Sequence, residues 1–200
     1  AQTVIDVDLY RIAEDIVDGP EAIAFDVEGK MYTANEDGRI IVLPRDGTDP
    51  YDFAQTEGRP LGLKFDLQGN LIVADAYEGL LSIDTTGEIA ILSTECDSLP
   101  FLLTDDLDIS SDGIIYFSDA SSVNNLENNG DDWGEPNGRL LAYDPQTNET
   151  SLLLDGLYFA NGVALAPDES YVLVNESSLG RVRRYWLAGP NTGETDVFSY

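Results

Sequence analysis

Residues 157–176 read LYFANGVALAPDESYVLVNE, and this stretch carries the plan of the whole chain. Asn161-Gly162 marks a turn, Val163 and Leu165 alternate as a strand, Pro167-Asp168-Glu169-Ser170 turns again, and Tyr171-Val172-Leu173-Val174 returns. Period-two alternation bounded by turn residues is the pattern of a β-hairpin.

Three earlier stretches repeat it. Glu21 to Asp26 turns at Val27-Glu28-Gly29 into Met31-Tyr32, and Leu61 to Asp66 turns at Gln68-Gly69 into Leu71-Ile72-Val73. Asp105 to Ile109 turns at Asp112-Gly113 into Ile114 to Phe117. The turns at Gly29, Gly69, Gly113 and Ser170 follow one another at roughly forty-residue intervals, the last stretched by a polar insertion. Short strands recurring at about that period are the sign of propeller blades. The expected fold is therefore an all-β propeller in one domain over 1–200, with blades at about 19–54, 59–93, 104–155 and 160–200.

Each unit completes a four-stranded sheet. Ile40 to Leu43 and Tyr51-Asp52-Phe53 supply the third and outer strands of the first blade, and Gly79 to Asp84 and Ile89 to Leu92 those of the second. Gly138 to Asp144 with Thr150 to Leu154 complete the third, and Gly180 to Trp186 with Thr195 to Tyr200 the fourth. Residues 1–18 read as a lead-in that supplies a ring-closing strand. The insertion Ser121 to Asn137, rich in Asn, Asp and Gly, reads as a long rim loop, with Trp133 as a candidate lid over a binding mouth.

Bulk properties narrow the function. The charge of -28 comes from 38 acidic against 10 basic residues, a surface that repels phosphate backbones and anionic lipid, so nucleic acid is not an expected partner. Only Lys30 and Lys64 among the cations are lysines, a composition that suits a saline habitat. Arg181, Arg183 and Arg184 form the one basic cluster and are expected to pair with neighbouring surface acids. No stretch is long and apolar enough to span a bilayer. Ala1-Gln2 is not an initiation sequence and suggests a processed precursor, hence a secreted or periplasmic protein, or a trimmed chain. Cys96 is the single cysteine and reads as a buried filler. With no histidine in the chain, Ser-His-Asp chemistry is excluded.

Residues 137–190, together with Asp105-Asp106-Leu107-Asp108-Ile109 and Ile115 to Ser121, closely resemble the strictosidine synthase-like family. That family sits in a wider group of six-bladed propellers that includes gluconolactonase-like, regucalcin-like and paraoxonase-like proteins. The resemblance implies six blades, of which about four are present; either the chain is a fragment, incomplete at its C-terminus, or its open blade edges are covered by another chain, as in a homo-oligomer.

Inner strands of propeller blades begin beside the central channel, and the repeat alignment places Glu21, Leu61, Asp105 and Asn161 there. Three of the four carry oxygen donors, which suit calcium, with magnesium as the alternative. The resemblance sharpens this, since metal-dependent lactonases of the wider group hold calcium with a Glu, two Asn and an Asp. Glu21 and Asn161 match that pattern, Asp105 stands where Asn is usual, and the resemblance puts the fourth ligand in a fifth blade beyond Tyr200, so that the site is incomplete in this sequence. Calcium held by Glu21, Asp105 and Asn161 would serve hydrolysis of a small-molecule lactone or ester, with Asp105 or Asp106 as base. Two other readings stand beside it: the metal-free amine–aldehyde condensation of strictosidine synthase itself, and a non-catalytic binding propeller. Asp105, Asp106 and Asn161 also suit a purely local role, satisfying backbone at turns.

Overall fold

The computed structural model describes residues 16–46, 48–127 and 134–200. Four four-stranded antiparallel sheets follow one another along the chain, each with its strands in sequence order. The first is β1 (Ile23–Phe25), β2 (Met31–Ala34), β3 (Arg39–Leu43) and β4 (Tyr51–Gln55). The second is β5 (Pro60–Phe65), β6 (Leu71–Asp75), β7 (Gly79–Ile83) and β8 (Ile89–Ser93), followed by a small ribbon of β9 (Glu95–Cys96) and β10 (Leu99–Pro100). The third is β11 (Thr104–Ile109), β12 (Ile115–Asp119), β13 (Pro136–Asp144) and β14 (Glu149–Tyr158). The fourth is β15 (Ala160–Leu165), β16 (Tyr171–Glu176), β17 (Arg181–Trp186) and β18 (Thr195–Ser199). The inner strands β1, β5, β11 and β15 touch in succession, which fans the sheets about a common axis as a β-propeller. No helix among the described residues is long and apolar enough to cross a membrane.

The turns form for local reasons. Asp26 Oδ1 accepts the N–H groups of Glu28 and Lys30, and Asp66 Oδ1 those of Gln68 and Asn70, so an Asp at the end of each inner strand closes the turn. Alternation then sends side chains to opposite faces of a sheet. On β6, Leu71 and Val73 pack with Ala24, Tyr32 and Val42 of the first blade, while Ile72 and Ala74 pack with Leu107, Ile115 and Phe117 of the third. That strand is buried along its whole length because both faces are covered. The first blade's Ile23 and Phe25 are instead exposed, as is all of β18.

A polar ring pins the end of each second strand. Asn35 Oδ1 accepts the Asp18 N–H (2.9 Å). Asp75 Oδ1 accepts those of Arg59, Tyr77 and Glu78, and Asp119 Oδ1 those of Leu102 and Leu103. Glu176 Oε1 accepts the Tyr158 N–H (3.1 Å). In each of these four sets a donor lies on the segment that leads into the same blade: Asp18, Arg59, Leu103 and Tyr158. Asp119 is bound through Oδ2 by Arg139 and Glu176 is bound by Arg181, so the buried carboxylates of the third and fourth blades carry their own cations. The sequence expectation for Arg181 is thereby corrected: its partner Glu176 is fully buried, because the pair closes a blade entry rather than decorating a surface. Arg184 does pair with the exposed Asp196.

Candidate functional site

The inner strands carry an irregularity at one recurrent place. Pairing slips between Pro60 and Gly62 on β5, between Thr104 and Leu107 on β11, and between Ala160 and Val163 on β15. The residues thrown out of register are Leu61, Asp105-Asp106 and Asn161-Gly162. A β-bulge bends its strand and re-aims a side chain, so the positions aligned from the sequence coincide with the bulges. Asn161-Gly162 is accordingly no turn; it lies inside β15, since Ala160 already pairs with Glu176. Glu21 stands two residues before β1, at the matching place: Thr33 Oγ1 donates to the Ala22 carbonyl much as Ser118 Oγ accepts from the Asp106 N–H in the third blade.

Asp105 is half-buried, and its carboxyl is pushed up to about 7 by burial first, then by the charges of Asp106 and Glu21. Glu21 and Asp105, eighty-odd residues apart in sequence, are thus close enough for their charges to interact. Neither Asp105 nor Asn161 makes a side-chain hydrogen bond or ion pair with another described residue, and Asn161 occupies the equivalent bulge of the adjoining blade. Among the described residues no three His, Cys, Asp or Glu side chains form a metal-binding group. Two carboxylates and an amide offer hard oxygen donors of the kind that calcium and magnesium take.

Asp106 differs. Its Oδ2 accepts the Val163 N–H (2.8 Å), and burial raises its carboxyl while the amides of Val163 and Leu107 act in the opposite sense. Farther along the channel Asp108 Oδ2 accepts the Leu165 N–H (2.8 Å), and Lys64 pairs with Asp108 Oδ1 (2.5 Å). A cavity of about 540 Å³ runs along these strands, lined among others by Ala22, Leu63, Lys64, Asp106, Asp108 and Val163.

The insertion after β12 leaves from the end where Asp119 pairs with Thr104, which puts its base on the same rim as Asp105. Ser122 closes that base by donating from N and Oγ to the Asn137 carbonyl. Trp133, the lid candidate, lies outside the described residues, as does the greater part of the lead-in. One rim residue has no signal in the sequence. Phe159 holds a φ of 57°, the only large apolar side chain with positive φ among the described residues, and packs against Leu61, Ala76, Leu103 and Ala120. Its carbonyl accepts the Ser177 N–H, so the strained backbone is held two residues from Asn161.

Comparison with known proteins agrees with this architecture. A model described as strictosidine synthase matches residues 105–190, and one described as strictosidine synthase-like, N-terminal, matches residues 7–43. The strictosidine synthase-like 3 protein of Arabidopsis thaliana is 38% identical over 218 residues, covering 90% of this chain and 53% of its own length. The adipocyte plasma membrane-associated protein of Bos taurus is 37% identical over 215 residues, covering 94% of this chain and 50% of its own. The chain thus spans about half the length of the curated relatives it matches. Among solved structures, a gluconolactonase from Xanthomonas campestris superposes with a TM-score of 0.77 at 17% identity, over 91% of this chain and 63% of that one. A streptogramin B lyase superposes with 0.68 at 13%, over 92% and 55%. At such identities these two bear on the fold alone, and they are similar to a partial propeller of four blades. The sequence matches carry further: the chain belongs to the strictosidine synthase-like family.

Proposed function

We propose that the protein is a metal-dependent hydrolase of lactones or esters, with Glu21, Asp105 and Asn161 as protein ligands for calcium, or for magnesium in its place. The observation that carries this reading is that Glu21 and Asp105, from the first and third blades, lie close enough for their charges to interact, on a carboxyl that burial first and then Asp106 and Glu21 push up to about 7. A bound divalent ion supplies Lewis acidity toward a carbonyl oxygen and charge to offset the developing oxyanion. The chain's own residues do the rest. Glu21 and Asp105 furnish the negative charge, Asn161 a neutral oxygen from the next blade, and Asp105 takes the proton of the attacking water. The structural likeness to a gluconolactonase supports a lactone as substrate.

The same uncompensated acids favour a second reading, in which they hold the ammonium of an amine that condenses with an aldehyde without metal. Calcium titration and chelation separate the two. Under the hydrolase reading calcium raises the melting temperature, Glu21→Ala or Asn161→Ala abolishes that rise, and chelator stops hydrolysis of phenyl acetate or a simple lactone. Failure of any divalent cation to stabilise the protein, with no chelator-sensitive hydrolysis, overturns it. Condensation that persists in chelator establishes the second reading, and absence of both activities leaves a binding propeller.

A further inference from the structure

The two adjacent acids of the third blade are held in opposite ways. Asp105 projects from the bulge with both carboxylate oxygens free of hydrogen bonds to described residues. Asp106 is gripped twice: its backbone N–H donates to Oγ of the fully buried Ser118 on β12 (3.1 Å), and its Oδ2 accepts the Val163 N–H of β15 (2.8 Å).

The second bulge position in the other blades shows what Asp106 adds. Ala22, Gly62 and Gly162 stand there in the first, second and fourth blades. A Cβ on Gly62 would meet the Asp105 carbonyl oxygen and the Asp106 Cα at 2.8 Å, so β5 and β11 are spaced by backbone running against backbone. Between β11 and β15 a carboxylate does the spacing. A Cβ on Gly162 would meet Asp106 Oδ2 only at an ordinary 3.7 Å, and its close approach, 2.9 Å, would be to Asn175 Nδ2. Two residues on, Asp108 Oδ2 and the Leu165 N–H repeat the link. Val163 is two residues from Asn161 and Asp106 is bonded to Asp105, so the 2.8 Å link sets how far the third-blade oxygens stand from the fourth-blade amide.

We infer that Asp106 is a positioning residue: through the Val163 N–H it fixes Asn161 relative to Asp105, and it neither binds the metal nor acts as the base. This rests on the proposed site of Glu21, Asp105 and Asn161, and it removes Asp106 from the pair of acids considered for proton transfer. Outer residues that orient ligands typically change metal affinity about 10–100-fold when removed.

The test compares Asp106→Asn, which keeps an acceptor oxygen for Val163 but no charge, with Asp106→Ala, which keeps neither. Asp106→Ala is expected to weaken calcium binding by about 10-fold or more, and Asp106→Asn by no more than about threefold. Both variants remove a charge that helps raise the Asp105 carboxyl, so the pH profile of any hydrolysis should keep its shape and move toward lower pH. Equal loss of calcium affinity in the two variants overturns the inference in favour of a metal ligand, and disappearance of the ionisation from the pH profile in Asp106→Asn overturns it in favour of a base. Calcium affinity unchanged in Asp106→Ala overturns it as well. Amide hydrogen exchange at Val163 reads the link without metal: protection should fall by about 10-fold or more relative to neighbouring core amides in Asp106→Ala and persist in Asp106→Asn. Unchanged protection in both sinks the link itself. Should the native protein bind no calcium, the hydrolase reading fails; the exchange result then decides whether Asp106 holds the fourth blade.

Discussion

Asp105 and Asp119 lie on neighbouring strands of one sheet, Asp119 paired with Thr104 and Asp105 next along the chain, yet they are provided for in opposite ways. Asp119 is fully buried, and burial pushes its carboxyl up against the pull of Arg139 and the Leu102 and Leu103 amides. Every oxygen it has is used. Asp105 is partly buried with like charges beside it and no partner. A buried acid with its cation is a fastening of the fold, whereas a partly buried acid among other acids costs stability and persists where something else is meant to approach it.

The largest effect expected from this contrast is on Asp119. Replacing it with Ala leaves the Arg139 guanidinium buried beside Phe101 without its carboxylate and should cost about 3–5 kcal/mol in urea denaturation. Asp105→Asn, of the same size and one position beyond the paired Thr104, should not destabilise at neutral pH and should melt at or above the native temperature. Its cost appears in function: hydrolysis should drop about 10²–10⁴-fold. If Asp105→Asn unfolds the protein as Asp119→Ala does, the distinction between the two acids is wrong.

A pH series sharpens the same contrast. With a folded pKa of about 7 against an unfolded value near 4, the native state binds more protons than the unfolded one between those limits. In the absence of metal this group makes stability fall as pH rises from about 4 to about 7. Asp105→Asn should flatten that fall. The urea midpoint followed across pH 4–8 in native and variant protein measures it, and parallel curves count against the assignment.

How much of this was legible before the structure depends on the range of the interaction. The hairpins were, because Asp26 and Asp66 close their turns with N–H groups two and four residues away. The bulges were not. Asn161-Gly162 has the composition of a turn, and only the pairing of Ala160 with Glu176 keeps it in the strand. The opposite error hid the β9–β10 ribbon, whose tight turn places Asp97 and Ser98 rather than Asn-Gly at positive φ. Repeat alignment still placed Glu21, Asp105 and Asn161 at equivalent points, two residues before β1 and in the bulges of β11 and β15, because it compares positions and not local geometry. The polar ring of Asn35, Asp75, Asp119 and Glu176 escaped notice because an acid at a strand end looks the same in sequence whether it caps a turn or is buried against the next segment. Local composition reports residue type, and burial is settled by neighbours far away in the chain.

Arg184 and Asp196 give the smallest expected effect and isolate the cause. Their contact is 2.7 Å and two-pronged, against 2.6 Å for Arg139 with Asp119, so distance alone would rank the pairs together. The Asp196 side chain is 46% exposed and that of Asp119 is 0%. Water solvates the separated outer charges almost as well as they solvate each other, and Arg184 keeps the faces of Trp186 and Tyr171 when its acid is removed. Asp196→Ala should therefore leave the urea midpoint unchanged within experimental error, while Asp119→Ala moves it far. Comparable shifts would mean that pairing geometry, and not removal from water, decides which acids hold this propeller together, and the reading of Asp105 as an acid left open for a ligand would lose its support.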